Sequence, residues 1–245
     1  MTSRRKLILG ILSIIVIQLL AGCATSVSHQ PLTPEGLFAR HLENTYGAKR
    51  SLWPMTVTVQ GKLIVQDFGI EAPFTIRQKS PDAYSFSADL MGTAISNSCF
   101  QGSCWGQEFG QGVRPLTGEQ LTFQLQVADF YQFLNMQKYY TQLQIIKSDN
   151  GSKPTTYTVQ ATRANGSRDF YSFSKETGLM VGSIVNAVTA QGNVATTTVN
   201  DNFQQFGKVM LPTTVTQSSA QGNIRIEVES VNTDPIADEV FTKPE

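Results

Sequence analysis

Ionic character is scarce in this chain. Of 245 residues only 16% are charged, and 19 basic side chains are matched by 19 acidic ones. Neutralising a phosphate backbone needs an excess of Lys and Arg, so no nucleic-acid partner is expected. Histidine is scarcer still. With only His29 and His41, and no Gly-x-Ser-x-Gly elbow, phosphate-binding loop or His-Glu-x-x-His helix, the sequence offers no catalytic residues and no metal site. The adjacent carboxylates Asp238 and Glu239 read as solvated groups of a C-terminal tail, and the protein is expected not to be an enzyme. Long apolar runs are confined to one. Leu7–Leu20 spans 14 residues, broken by Gly10, Ser13 and Gln18; at about 1.5 Å per helical residue it falls short of the roughly 30 Å hydrocarbon core of a bilayer.

That run follows the basic segment MTSRRK and reads as a secretory signal over residues 1–22. The leader holds three of the basic groups, Arg4, Arg5 and Lys6, and no acid, so a chain starting at Cys23 has a net charge of −3. Leu20-Ala21-Gly22-Cys23 resembles the bacterial lipobox. The resemblance implies cleavage before Cys23, a diacylglyceryl thioether on its sulfur, and acylation of the new amino group. Two or more acyl chains anchor a protein stably where one does not, so the membrane is an expected partner and the covalent lipid on Cys23 the only expected prosthetic group. Ala24 stands where an Asp commonly retains such proteins at the inner membrane, which implies the outer membrane, facing the periplasm. The polar stretch from Ala24 to Pro34 reads as a tether, making residues 23–34 an anchored linker.

Cysteine is nearly absent from the remainder. Only Cys99 and Cys104 are left, and export would place them where disulfides persist. A two-residue turn at Gln101-Gly102 would set them opposite each other on neighbouring strands, close enough to bond. Two free thiols, or a redox or metal role, are the other readings, the last weakened by the lack of a Cys-x-x-Cys and of a well-placed His.

What is plentiful is alternation. Thr33, Pro34 and Glu35 open a short helix with Leu37, Phe38, Leu42 and Tyr46 on one stripe, stopped by Gly47. From Met55 the period becomes two. Val57, Val59, Leu63 and Val65 alternate with polar residues, as do Phe74 and Ile76, then Tyr84, Phe86, Ala88 and Leu90. After the cysteine hairpin, Thr117–Gln120 matches a capping box, and Leu121, Leu125, Ala128, Phe130, Phe133 and Leu134 predict a helix over about 118–136. Strands are expected near 139–147, 154–163, 168–175, 179–189, 193–204, 209–219 and 223–231, divided by Gly- and Asn-rich turns such as Asp149–Gly151, Asn165-Gly166 and Gln191–Asn193. Together these predict a mainly β domain over residues 35–245. It is a single curved antiparallel sheet of about 11–12 strands, an unclosed half-barrel whose mouth is covered by two helices.

This layout resembles the LolA/LolB-like family of bacterial lipoprotein carriers and outer-membrane lipoproteins. The resemblance rests on the order of LFARHLENTYGA, TVTVQGKLIV, RQKSPDAYSFSADLMG, YSFSKETGLMVGS, FGKVMLPTTV and VNTDPIADEVFTKPE. It implies a non-catalytic hydrophobic cavity for the acyl chains of lipid or lipoprotein cargo. Candidate lining residues are Val57, Val59, Leu63, Val65, Phe74, Ile76, Tyr84 and Phe86, with Leu121 and Leu125 from the helical lid. It also implies an exposed apolar loop after the third strand, for which Leu90 and Met91 are candidates. The soluble carriers have Arg before the Pro after the second strand, where this chain has Ser80-Pro81. The alternative reading is a structural or accessory lipoprotein that offers the half-barrel as a surface to an envelope-protein partner.

Overall fold

The computed structural model describes residues 32–108, 112–146, 155–189 and 192–243. The leader, Cys23, nearly all of the tether, the Asp149–Gly151 turn and Gln191 lie outside the described residues.

The first helix forms where its start and stop signals stand. Helix α1 is Pro34–Tyr46; the Thr33 hydroxyl accepts the Gly36 N–H at 3.0 Å, and Gly47, at φ +95°, donates its own N–H to the Glu43 carbonyl. After a 3-10 turn at Arg50–Leu52 the alternating segments become strands. They are β1 (Thr56–Val65), β2 (Ile70–Lys79), β3 (Ala83–Leu90), β4 (Thr93–Phe100), β5 (Ser103–Gln107) and the two-residue β6 (Arg114–Pro115). Helix α2 (Gly118–Ala128), a 3-10 turn at Gln132–Leu134 and the single-turn helix α3 (Met136–Tyr139) follow. The chain then meanders through β7 (Gln142–Ile146), β8 (Thr156–Thr162), β9 (Arg168–Ser174), β10 (Met180–Thr189), β11 (Gly192–Phe206), β12 (Val209–Ser219) and β13 (Gly222–Asn232).

All thirteen described strands form one antiparallel sheet in the order β6-β5-β4-β3-β2-β1-β13-β12-β11-β10-β9-β8-β7. Every neighbour but one is a hairpin. The exception joins β1 to β13, the first strand to the last, and brings Val59, Leu63 and Val65 opposite Val231, Ile226 and Ile224. The edges, β6 and β7, do not meet, so the barrel stays open. A bulge at Gln60/Gly61 lets β1 follow β13. Gly61 is obligatory there, since a Cβ would stand 1.9 Å from the Glu227 carbonyl oxygen.

The expected 118–136 helix is divided in the structure, and its capping box does not form: Thr117 caps α2 without a side-chain bond. Asp129 ends the helix. Its carboxylate accepts from the Tyr131 N–H, the Asn135 side chain and, at 2.6 Å, the Tyr139 hydroxyl, while the Phe130 N–H turns away to the Pro81 carbonyl. These contacts redirect the chain against its helical period. Among the described residues there are therefore three α-helices instead of the two expected, and thirteen strands against an expected 11–12 or so.

The arms of the open barrel are filled unequally. On the β7–β9 arm Leu37 and Phe38 of α1 and Met136 and Tyr140 pack into a buried core with Val159, Ala161, Tyr171 and Phe173. Phe38 stacks on Phe133 at 5.5 Å and meets Phe173 edge-on at 5.1 Å. On the β1–β4 arm only Leu63, Phe74 and Ala88 are buried within an apolar cluster that includes Val59, Val65, Ile76, Phe86, Leu90, Ile95, Ile224 and Ile226. The concave face here is apolar but incompletely covered.

The C-terminal segment is not a free tail. Residues 233–242 strap the convex face of the early strands: Phe241 is buried, the Lys79 ammonium bonds the Ile236 carbonyl and Asp238 (2.6 Å), and the Ser98 hydroxyl donates to the Thr242 carbonyl. The carboxylate of Asp238, read from the sequence as solvated, thus has a structural partner.

Gln101-Gly102, both at positive φ, form the predicted turn, and Cys99 pairs directly with Cys104. The two are joined as a disulfide with Cα atoms 4.1 Å apart. It is buried beneath α2, against Leu116, Ala128, Tyr84, Leu121 and Leu125. Closing a loop this short removes little entropy from the unfolded chain, so replacing both cysteines with serine should lower the unfolding free energy by about 2 kcal/mol in urea titrations. A double variant as stable as the parent would show that the packing of α2, not the cross-link, holds this hairpin.

Candidate functional site: a cleft under helix α2

Helix α2 packs on β3, β4 and β5 at one flank and on β10 at the other, spanning the open concavity of the sheet. Polar contacts do much of the fastening. Gln126 is buried; it donates to the Tyr140 hydroxyl at 3.2 Å and accepts from the Arg163 guanidinium at 2.9 Å. The Gln78 amide reaches from β2 to the Val127 backbone carbonyl, and Arg114 of β6 donates to the Gln120 side-chain Oε1 at 3.1 Å. That last contact occupies the first turn where the sequence predicted a capping box.

Beneath the helix lies a cleft of about 510 Å³, inside the roughly 300–1,000 Å³ range of small-ligand sites. Its apolar wall is Phe86, Leu90, Ile95, Leu116 and Ile224. Gly106 helps to shape the floor: a Cβ there would stand 2.9 Å from the Asn97 Oδ1 and 3.1 Å from a Leu116 methyl. The rim is polar, with Asn97, Gln107, Gln120 and Gln124 around the ion pair of Arg114 and Glu108, which lie 2.8 Å apart. A smaller cleft of about 250 Å³ opens on the opposite flank of α2, beside Phe123, Tyr139 and Arg163.

The candidate residues read from the sequence separate into three groups. Val57, Leu63 and Phe74 are buried, with little surface left for a ligand. Val59, Val65 and Ile76 are half-buried in the same apolar cluster as Phe86, which alone of the ten lines the cleft. Tyr84, Leu121 and Leu125 pack around the disulfide. Leu90, expected on an exposed loop, instead ends β3 and faces the cleft, whereas Met91 stands 71% exposed at the turn tip. Phe68 in the β1–β2 turn, not anticipated from the sequence, is 76% exposed. Consecutive antiparallel hairpins place the two tips at one end of the sheet, the end at which Leu90 and Ile95 open the cleft.

Ile95, Leu116, Ile224, Arg114 and Glu108 were missed as well. Ile224 carries a detectable signal, since it alternates with Ile226 and Val228 in the last strand, but its place in the cleft depends on the β1–β13 pairing. Among the described residues there is no group of three metal-ligating side chains, and no helix is long and apolar enough to cross a membrane.

No protein-family model matches the sequence, and no curated protein matches it. Solved structures do match. A LolA superfamily protein from Nitrosomonas europaea superposes with a TM-score of 0.56 at 14% identity, over 86% of this chain and 98% of that one. A DUF1329 family protein from Desulfovibrio piger gives 0.58 at 11% identity, over 85% and 95%. An outer membrane lipoprotein-sorting protein domain from Vibrio parahaemolyticus gives 0.56 at 10% identity, over 85% and 95%. At these identities the likeness is one of fold.

Proposed function

We propose, for a chain whose fold is shared with LolA superfamily and lipoprotein-sorting structures, a non-catalytic envelope protein that holds acyl chains of lipid or lipoprotein in the cleft under α2. A lipid on Cys23 anchors it to the outer membrane, facing the periplasm. One observation carries the reading. Phe86, Leu90, Ile95 and Ile224 remain part-exposed around an open cleft on the concave face, so each still forgoes part of the roughly 1.5–3 kcal/mol that full burial supplies. An acyl chain supplies that burial, at about 0.8 kcal/mol per CH₂. The tips Phe68 and Met91, at the same end, are the side chains placed to touch a bilayer while a chain passes in or out.

The full chain, purified from membranes in mild detergent and examined by native mass spectrometry, should carry acyl-chain ligand. Phe86→Asp sets a carboxylate among Leu90, Ile95 and Leu116, and an unpaired charge in apolar surroundings costs several kcal/mol. Occupancy should fall about 100-fold, with melting of the variant followed in parallel to confirm a folded domain. Parent protein that is repeatedly empty, together with cross-linking to one constant envelope protein, would instead make the half-barrel an accessory surface.

A further inference from the structure

The rim of the cleft has a feature that acyl binding alone does not require. Arg114 and Glu108 are the two charged side chains lining it, and they stand across one corner of its mouth as a 2.8 Å pair, each about a third exposed. A pair so open to water contributes little to stability. Arg114 points inward: its strand position is opposite Gly106, in phase with Cys104 and with the cleft residue Asn97 on the next strand. A second guanidinium nitrogen is held by Gln120 of the lid, so the group keeps its aim when the bond to Glu108 opens. The other polar lining groups are uncharged: the amides of Asn97, Gln107, Gln120, Gln124 and Gln221, which can donate or accept, and the Ser96 hydroxyl.

We infer that the cleft takes a zwitterionic phospholipid, its phosphate on Arg114 and its ammonium on Glu108. The inference rests on the acyl-chain reading above and adds the class of headgroup. Its physical basis is pair-for-pair exchange. A chain seated against Phe86, Leu90 and Ile95 brings its headgroup to this rim and partly desolvates the ion pair. A purely anionic headgroup would take Arg114 and leave the Glu108 carboxylate facing another negative charge. An uncharged glyceride would leave the pair closed and gain nothing from it. A phosphate and an ammonium on one ligand satisfy both groups at once: the planar guanidinium grips phosphate with two parallel N–H donors, and the ammonium donates to the carboxylate.

The test uses the delipidated full chain in detergent, offered phosphatidylethanolamine, phosphatidylglycerol and diacylglycerol with identical palmitoyl and oleoyl chains in equal amounts. Lipid retained per protein is counted by native mass spectrometry. The phosphatidylethanolamine complex should exceed each of the others at least tenfold. Glu108→Gln should bring phosphatidylglycerol up to parity by removing the stranded carboxylate, and Arg114→Met should reduce both phospholipids to the diacylglycerol level. Equal retention of the three lipids by the parent protein, or preference for the anionic one, overturns the headgroup assignment and leaves acyl binding standing. Retention of none overturns acyl binding, and the headgroup assignment with it.

Discussion

Asp169→Ala is expected to lower the unfolding free energy by about 3–5 kcal/mol, the range for removing one member of a buried ion pair. Asp169 has no exposed surface. One carboxylate oxygen accepts from the Arg163 guanidinium at 2.6 and 3.0 Å and from the Tyr140 hydroxyl at 2.6 Å; the other accepts the Asn186 backbone N–H at 2.9 Å. Burial, followed by the charge of Asp169, pushes the Tyr140 phenol up to about 12, so it remains a donor across the whole physiological range. Removing the carboxylate leaves a guanidinium, a phenol and an N–H without an acceptor at a position that itself has no exposed surface. The damage should spread to the lid, since Arg163 also holds Gln126 of α2. Urea denaturation measures the loss, and hydrogen exchange should show α2 opening more readily than β1 or β2. Arg163→Met combined with Asp169→Leu removes both charges together and should recover part of the stability. A single variant within 1 kcal/mol of the parent would mean that water reaches the site and replaces the carboxylate.

The sequence contains a trace of this cluster that periodicity alone does not interpret. In β9 Asp169 falls in phase with Tyr171 and Phe173, both buried. A carboxylate on the inward phase of a strand must have a partner, but nothing local identifies Arg163, across the Asn165-Gly166 turn, or Gln126, 43 positions earlier than Asp169 in the chain. The same division runs through the fold. Alternation in Thr56–Val65 and the Gln101-Gly102 turn are decided by neighbours in sequence, and both appear where they were expected. The pairing of β1 with β13 is decided by shared burial over more than 150 residues, and with it the Ile224 wall of the cleft. Helix α2 ends early because the Asp129 carboxylate finds Tyr139 and the Phe130 N–H finds Pro81; a helical stripe in the sequence reports neither. The family resemblance supplied the idea of a cavity. Which residues line the cleft under α2 depends on tertiary pairing, so that of the ten side chains named from the strands and the lid only Phe86 lies on it, beside Ile95, Leu116 and Arg114, which no sequence pattern marked.

Stability should also fall by up to about 3 kcal/mol as pH drops from about 6.5 to 4, and His41 is the cause. Its ring lies against Phe133 and Phe173, at 5.6 and 6.2 Å, and the Met180 N–H donates to its Nδ1 at 3.3 Å. Burial lowers its pKa from 6.5 to about 4. Between those values the unfolded chain binds a proton that the folded one does not, so stability rises with pH through this window. It is complete above about 6.5 and is lost as pH falls towards 4, each pH unit costing about 1.4 kcal/mol. The geometry agrees with the sign, because protonating Nδ1 would turn the acceptor of the Met180 N–H into a second donor pointing at the first. The upper part of the window, above about pH 5, lies clear of the range in which ordinary carboxylates titrate, near 4, and there the effect is separable from general acid denaturation. His41→Gln keeps an acceptor near Met180 and removes the titration. Urea midpoints of the variant should be nearly flat from pH 7 to 4.5 while those of the parent decline. Parallel curves would show that water reaches the ring and that its proton affinity is unchanged by folding. Since α1 carries His41 and meets both the β9–β10 turn and β12, the acid-weakened contact is the one that seats α1 in the β7–β9 arm. Mild acid should therefore loosen α1 before the β1–β4 arm, an order that hydrogen exchange at pH 5 would reveal.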